Sequence, residues 1–170
     1  MEKSGFSLFE RPTTGPLSIL ALALFAVVTV ACASPYAHLL TTQQPSAADL
    51  VGVYVYRLHS LPDLDFKRLP GGPPRLELRA DGTFAARNLP RNGFASTTFT
   101  SVASPIGRWT IQTTGSVETW RGLKEVWGIG FGGLDVLDPV SLSGDAPPYG
   151  IIAQFDDPDL GYVLMLRRER

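Results

Sequence analysis

Short segments of alternating apolar and polar side chains follow one another from Leu50 towards the C-terminus. Valine occupies every second position of Val51–Val55, and comparable patterns recur as far as Arg168. A period of two residues places successive side chains on opposite faces of a β-strand. The 17 glycines and 14 prolines are spread along the chain and separate these segments as turns do. We therefore predict an all-β domain over residues 50–170, an antiparallel barrel or sandwich of about seven or eight short strands.

A β-hairpin is predicted over residues 75–87, because apolar positions on its two halves must meet on one face. Burial of that face requires Leu78 to stand opposite Phe84. A two-residue Asp-Gly turn would place an arginine opposite Phe84, whereas a loop of residues 80–82 gives the required pairing. This loop length corresponds to a type I turn followed by a bulge, with Gly82 at positive φ.

Two more hairpins are predicted further along the chain. In residues 107–120, a loop of residues 113–115 would place Ile111 opposite Val117 on a buried face. The last hairpin covers residues 149–168, and the loop between its strands contains proline and acidic residues, as a solvated turn does.

Glycines occupy every second position of Gly128–Gly132, and the large side chains between them belong to the opposite face. A phosphate-binding loop would need a helix after these glycines, and the sequence that follows offers none. A bare strip of strand backbone is commonly covered by a neighbouring aromatic side chain. We expect Trp120 or Phe99 to cover this strip. The alternative is a ligand or partner that approaches the backbone.

Residues 17–33 form an uncharged, apolar segment preceded by Lys3 and Arg11. Such a segment is too apolar for a soluble surface and is shorter than the ~20 residues of a typical transmembrane helix. A charged start, an apolar stretch and then small residues are the pattern of a secretory signal. We therefore predict a signal helix within a signal peptide of the lipoprotein type over residues 1–31.

Cys32 is the only cysteine of the chain. An exported chain meets oxidising conditions, in which a single thiol needs an explanation. The preceding residues, Val28–Ala31, resemble the bacterial lipobox, whose cysteine is acylated and becomes the first residue after cleavage. We predict that a lipid on Cys32 holds the chain at the extracytoplasmic face of the cell membrane. Two alternatives stay open, a soluble secreted form cut after the A-x-A motif Ala31–Ala33 and an uncleaved single-pass anchor.

Residues 32–49 show no sustained period and are rich in Ser, Thr, Gln, Pro and Ala. We predict a flexible tether with a coil span of ~20–25 Å. The alternative is a short helix over Tyr36–Leu40.

Four short motifs carry a family resemblance through their order along the chain. They are Leu50-Val51-Gly52-x-Tyr54, Leu76-x-Leu78-x-x-Asp81-Gly82-Thr83-Phe84, Gly107-x-Trp109 and Asp157-Pro158-Asp159-x-Gly161-Tyr162-Val163. In this order the chain resembles a set of small actinobacterial lipoproteins over most of residues 50–168. The resemblance implies a lipobox, export and a lipocalin-like β fold, and it assigns no activity or catalytic residue.

Catalytic residues are not expected from the polar side chains of the domain. His59 is its only histidine, with Ser60, Asp63 and Asp65 nearby. A catalytic triad requires groups that the fold brings together, so we interpret this set as an ordinary exposed loop. The net charge of −1 provides no basic excess for nucleic acid. We predict no catalytic residue, no cofactor and no nucleic-acid partner.

The acidic residues near the C-terminus are the best candidates for a metal site. Asp156, Asp157 and Asp159 offer oxygen ligands of the kind that Ca²⁺ prefers, with Asp135 or Asp138 as further candidates. No EF-hand spacing is present. We interpret the cluster as a charged turn and predict no metal.

We interpret the domain as a non-enzymatic binding module for a small apolar ligand or an envelope protein. Its aromatic side chains alternate along the strands, and some of them would line a cavity in a barrel. One alternative is an inhibitor of a secreted hydrolase, with residues 91–105 as the inserting loop. An enzyme is the third hypothesis, and the lack of a catalytic set disfavours it.

Overall fold

The computed structural model describes the chain in five parts, residues 35–62, 64–90, 102–132, 139–155 and 161–170. All of them belong to one compact unit, Ser34–Arg170. The other unit, Met1–Ala33, lies outside the described residues, and with it the predicted signal helix and Cys32.

Ten β-strands and three short helices occur in the described residues. The strands are β1 (Gly52–His59), β2 (Arg75–Leu78), β3 (Thr83–Arg87), β4 (Leu89–Pro90), β5 (Val102–Ala103), β6 (Ile106–Thr119), β7 (Gly122–Gly132), β8 (Val140–Ser143), β9 (Gly150–Phe155) and β10 (Tyr162–Arg168). The helices are one α-helical turn, Ala47–Leu50, and two 3-10 helices, Ala37–Leu39 and Phe66–Arg68. Eight strands close into a barrel in the order β1-β10-β9-β8-β7-β6-β3-β2, while β4 and β5 form a separate two-stranded sheet. The predicted all-β fold is confirmed, and it takes the form of a closed antiparallel barrel.

The inward faces of the barrel strands meet in a single hydrophobic core. Tyr54, Phe84 and Phe131 are among its largest members, and all three are fully buried. The rings of Phe84 and Phe131 lie edge to face with centroids 4.8 Å apart. Side chains from all eight barrel strands belong to this core. The interior of the barrel is therefore occupied by the chain's own side chains.

The hairpin predicted over residues 75–87 is confirmed in its pairing and in its turn. Leu78 pairs with Phe84, as burial of a common face requires. Gly82 has a φ of +78°, and its N–H donates to Arg79 O at 3.1 Å. Local information sufficed here because the loop length and the buried face allow only one register.

The hairpin predicted over residues 107–120 is wrong, because β6 does not turn at residues 113–115. The strand continues through a bulge at these positions and pairs with β7 as far as its last residue. Ile111 therefore pairs with Ile129 and not with Val117. Ile129 is fully buried whereas Val117 is half-buried, so the observed register removes more apolar surface from water.

The glycine strip of β7 is covered by polar side chains of β6. A Cβ at Gly128 would overlap Thr114 Cγ2 and the carbonyl oxygen of Val140, and one at Gly130 would lie 2.5 Å from Gln112 Oε1. The prediction that Trp120 covers the strip is wrong, because that side chain is exposed. Phe99, the other candidate, lies outside the described residues.

The predicted last hairpin is confirmed as β9 and β10, which pair from Tyr162–Phe155 to Leu166–Ile151. Both strands also carry apolar side chains on the outer face of the barrel, where Ile152, Val163 and Met165 form a second cluster. Apolar residues of Tyr36–Leu40 pack over this cluster. Burial on both faces explains why these two strands are apolar at nearly every position.

The flexible tether predicted over residues 32–49 is wrong for the part that the structure describes. The chain from residue 35 onward packs on the barrel because the outer cluster needs shielding from water. The alternative, a short helix over Tyr36–Leu40, is confirmed by the 3-10 helix Ala37–Leu39.

Thr41 completes the barrel wall where β7 and β8 separate. These two strands pair at only two positions. Beyond them, Thr41 N–H donates to Leu142 O at 3.0 Å, and Trp127 N–H donates to Thr41 O at 2.9 Å. The Thr41 hydroxyl donates to Gly144 O at 2.8 Å, and the residue is fully buried. The segment that precedes the barrel thus supplies backbone partners that the two strands would otherwise lack.

One end of the barrel, called the helix end below, is closed by the α-helical turn Ala47–Leu50. Ser46 and Asp49 form a capping box that begins this turn. Leu50 is fully buried in the core, and its carbonyl oxygen accepts a hydrogen bond from Tyr54 Oη at 2.8 Å. The turn is therefore fixed to both the core and β1.

The opposite end, called the loop end, is closed by the connection between β1 and β2. Leu61, Leu64 and Phe66 of this connection are buried in the main core. Pro35, the first described residue, lies beside Gly161 at the start of β10. The chain therefore enters the domain at the loop end and runs along the barrel to the helix end.

Candidate functional site

An open groove of about 800 Å³ lies on the outside of the barrel, towards the helix end. We call it the outer groove. Val55 of β1 and Met165 of β10 contribute apolar side chains to its lining, and Leu39 of the N-terminal segment adds a third. Tyr149, in the loop between β8 and β9, also lines it. The groove is thus a separate space from the filled interior of the barrel.

The outer groove is rich in arginine. Arg57, Arg167 and Arg170 line it and are exposed. Within the described residues, none of these three guanidinium groups forms an ion pair, whereas Glu169 beside them is 3.2 Å from Arg75. The groove therefore combines an apolar floor with unneutralised positive charge.

A two-stranded arm, residues 115–126, projects from the helix end. It consists of the last part of β6 and the first part of β7, which pair from Gly115–Val126 to Thr119–Gly122. In the described part of the chain, β3 pairs with β6 only as far as Arg108, and β8 pairs with β7 only as far as Gly128. Five residue pairs at β-strand spacing extend the arm by about 17 Å.

The tip of the arm carries two exposed hydrophobic side chains. Trp120 is 88% exposed and Leu123 is 74% exposed. The guanidinium of Arg121 lies 4.4 Å from the centroid of the Trp120 ring. The Thr119 hydroxyl accepts a hydrogen bond from Arg121 N–H and donates one to Gly122 O, so the turn is held in place. Large exposed aromatic side chains on a fixed turn are typical of binding surfaces.

His59 serves the closure of the loop end. Its ring lies edge to face with Phe66 at 4.7 Å between centroids, and its Nδ1 accepts a hydrogen bond from Leu61 N–H at 3.1 Å. Burial lowers the pKa of this imidazole. The His59 side chain thus packs against Phe66 and accepts one backbone hydrogen bond, and both contacts belong to the closure of the loop end.

Ser60 and Asp65, the described polar residues close to His59 in the sequence, have separate partners. The Ser60 hydroxyl donates to Gly161 O at 2.7 Å, and Asp65 pairs with Arg68 at 3.1 Å. Asp63 lies outside the described residues. The structure does not bring Ser60 and Asp65 to the imidazole as a hydrogen-bonded set.

The acidic candidates for a metal site lie outside the described residues. These are Asp135, Asp138, Asp156, Asp157 and Asp159. In the part of the chain that is described, no group of three or more His, Cys, Asp or Glu side chains is placed to hold a metal ion. Nor does any described helix have the length and apolar character needed to span a membrane.

Sequence reasoning missed both the arm and the outer groove. The prediction that Trp120 covers the glycines follows from a turn predicted at residues 113–115, several positions before the turn that the structure has. Gly122, a glycine that follows the alternating segment of β6, was the available signal for a later turn. The groove has no comparable signal, since Leu39, Val55 and Met165 are far apart in the sequence.

These features define a closed, eight-stranded antiparallel β-barrel with a filled interior, an external groove and a projecting arm. No known protein family, curated protein or solved structure matches the chain.

Proposed function

We propose that this protein is a lipid-anchored, non-enzymatic binding module that presents its arm to another protein of the cell envelope. A closed barrel in which nearly all neighbouring strands are consecutive in the chain is the architecture of lipocalins. This order supports the resemblance to lipoproteins with a lipocalin-like domain. The single observation that carries the proposal is the exposure of Trp120 at the tip of the arm.

The anchor is a lipid on Cys32, exposed by removal of a signal peptide over residues 1–31. The apolar leader and the solitary cysteine support this assignment. Cys32 lies three positions before Pro35 in the sequence, a reach of at most about 11 Å. Since Pro35 lies at the loop end, beside Gly161, a lipid on Cys32 holds the loop end at the membrane.

The arm then points away from the membrane, because it projects from the helix end. Its charged residues, Glu118, Arg121, Lys124 and Glu125, sum to zero. An arm without net charge has no net electrostatic attraction to anionic lipid headgroups. Both observations favour a protein partner over insertion of Trp120 into the bilayer.

Tryptophan is among the residues that contribute most to protein interfaces. Trp120 offers a large apolar surface, and Arg121, stacked on its ring, offers hydrogen-bond donors beside it. The held turn reduces the entropy that these side chains would lose on binding. A partner with an apolar pocket edged by acceptor groups fits this chemistry.

The test is photo-crosslinking in intact cells from a photoreactive amino acid at position 120. Ile106 provides the matched control, because it is 81% exposed and belongs to the loop-end part of β6. We expect one discrete protein adduct from position 120 and none of the same mass from position 106. The purified partner should bind Trp120→Ala at least tenfold more weakly than wild type or Ile106→Ala. Equal labelling at both positions, or equal affinities, would refute the docking role.

Anchoring is tested separately by intact mass of the membrane-extracted protein. Loss of residues 1–31 together with a mass increase on Cys32 is the expected result. A chain that begins after Ala33 would indicate soluble secretion, and an intact N-terminus with a free thiol would indicate a single-pass anchor. If the protein carries a lipid on Cys32, Cys32→Ser should abolish the added mass. In the other two cases there is no lipid mass to lose.

A hydrolase inhibitor is the second candidate, and the arm itself favours it as a projecting element. The inserting loop predicted from the sequence, residues 91–105, lies outside the described residues apart from its end, where Val102–Ala103 forms β5. If the crosslinked partner is a hydrolase, the full chain should inhibit it and Trp120→Ala should not. Unchanged hydrolase activity with the full chain would exclude this role.

A further inference from the structure

We propose that the outer groove binds an anionic amphiphile, a molecule with one alkyl chain and a carboxylate or phosphate head. This inference concerns a different surface from the arm and does not depend on the docking role of Trp120. Its basis is the juxtaposition of an apolar floor and unneutralised arginines in one groove of about 800 Å³.

The floor provides the site for the alkyl chain. Val55 and Leu39 are half-buried and supply most of this apolar surface. Met165, which faces outward from β10 and is 6% exposed, adds to the lining. The volume falls within the range of about 300–1,000 Å³ that small-molecule sites occupy. An alkyl chain on this floor would remove apolar surface of both partners from water.

The arginines provide the site for the acidic head. Arg167 pairs directly with Val55 across β1 and β10, so its guanidinium stands at the edge of the apolar floor. Arg57 lies two positions after Val55 on the same strand and also lines the groove. A guanidinium fork matches the two oxygens of a carboxylate or phosphate.

The neighbouring charges do not cancel this positive potential. Glu169 forms an ion pair with Arg75, in which Oε2 and Nη2 are 3.2 Å apart. Arg168 donates to the backbone carbonyls of Asp49 and Val51, so it belongs to the closure of the helix end. Arg57 and Arg167 are left to face solvent, and an anionic head would neutralise them.

An anionic amphiphile fits better than other occupants of the groove. A neutral amphiphile would use the floor and leave the arginines without a partner, and a cationic one would be repelled. A second copy of the chain could offer Leu123 with Glu118 and Glu125 of its arm. The small volume of the groove favours a single alkyl chain over a two-stranded arm.

The experiment uses the full chain in a nonionic detergent and a fatty acid that carries a photoreactive diazirine on its alkyl chain. We expect labelling to map to peptides that contain Leu39, Val55 or Met165. Octanoate and octyl phosphate should compete, whereas octanol, which supplies the chain alone, and inorganic phosphate, which supplies the head alone, should compete at least tenfold less well. Competition by only one of the two acids would identify a carboxylate or a phosphate as the natural head.

The double variant Arg57→Gln/Arg167→Gln should lower labelling at least tenfold, and the corresponding double lysine variant should restore part of it. Arg121→Gln is the matched control, because it removes an exposed arginine from the arm. Circular dichroism of each variant checks that the barrel is retained. Labelling that octanol suppresses as well as octanoate does, or that ignores the arginine variants, overturns the proposal. So does a crosslink between the arm of one copy and the groove of another.

Discussion

Tyr54 of β1 and Arg168 of β10 stand directly opposite each other across the strand pair that closes the barrel. Arg168 Nη1 donates to Asp49 O at 2.9 Å, and its Nη2 donates to Val51 O. Tyr54 Oη donates to Leu50 O at 2.8 Å. The first and last strands of the barrel are thus bonded to the same short segment, and this segment covers the helix end.

Arg168→Ala should lower the free energy of unfolding by about 2–3 kcal/mol, because two backbone carbonyls lose a charged donor. Arg167→Ala is the control, since the neighbouring side chain is exposed and its removal should change stability by no more than ~0.5 kcal/mol. Urea unfolding followed by tryptophan fluorescence measures both variants. Identical unfolding midpoints would show that Arg168 does not hold the helix end closed.

Tyr54 should make the barrel sensitive to alkaline pH. Burial raises the pKa of its phenol to about 12, compared with about 10 in an unfolded chain. Between these values the unfolded chain loses the proton and the folded chain keeps it, so stability falls as pH rises. Relative to Tyr54→Phe, wild type should lose about 1.4 kcal/mol by pH 11 and nothing below pH 9. A constant difference between the two proteins from pH 8 to pH 11 would contradict the shift.

Two glycines of β7 should respond differently to alanine. A Cβ at Gly128 would overlap the backbone carbonyl of Val140, whereas one at Gly130 would meet only the flexible end of Gln112. We expect Gly128→Ala to lower the free energy of unfolding by about 3 kcal/mol and Gly130→Ala by about 1 kcal/mol, which is the range found for overpacked sites. Adding Gln112→Ala should rescue the second variant and not the first, as thermal unfolding will report. Equal losses, or rescue of both, would contradict the observed cover over the glycines.

The turn after β2 offers a test of backbone strain without any change in packing. Gly82 has a φ of +78°, and nothing lies within 4 Å of a Cβ built there. Gly82→Val should therefore cost about 1–2 kcal/mol through conformation alone. Gly82→Asn should cost clearly less, because asparagine tolerates this region of φ. Equal melting temperatures for the two variants would mean that the turn has a different conformation.

The hairpin over residues 75–87 could be predicted because all of its determinants lie within a few residues. The loop length, the glycine at positive φ and the common face of Leu78 and Phe84 select one register. The same reasoning failed for β6, because its register is set by β7 and the pairing of Ile111 with Ile129. An alternating pattern alone does not say where a strand ends when a bulge can shift its phase.

The role of residues 35–49 could not be predicted from their own composition. Their place on the barrel follows from the outward-facing Ile152, Val163 and Met165, more than a hundred positions later. The apolar runs of β9 and β10 did indicate cover on both faces, but not which segment supplies it. The outer groove was equally hidden, because its lining comes from the beginning and the end of the domain.

The position of Thr41 has a consequence for how the protein is made. Thr41 is synthesised early, but the carbonyl oxygen that accepts its hydroxyl hydrogen bond belongs to Gly144, 103 positions later in the chain. The closing strand pair joins β1 to β10, so it forms only after β10 has been synthesised. Contacts so distant in sequence slow folding. A growing chain therefore carries an unpaired edge on β1 until β10 has been synthesised, and an unpaired strand edge is a site of aggregation.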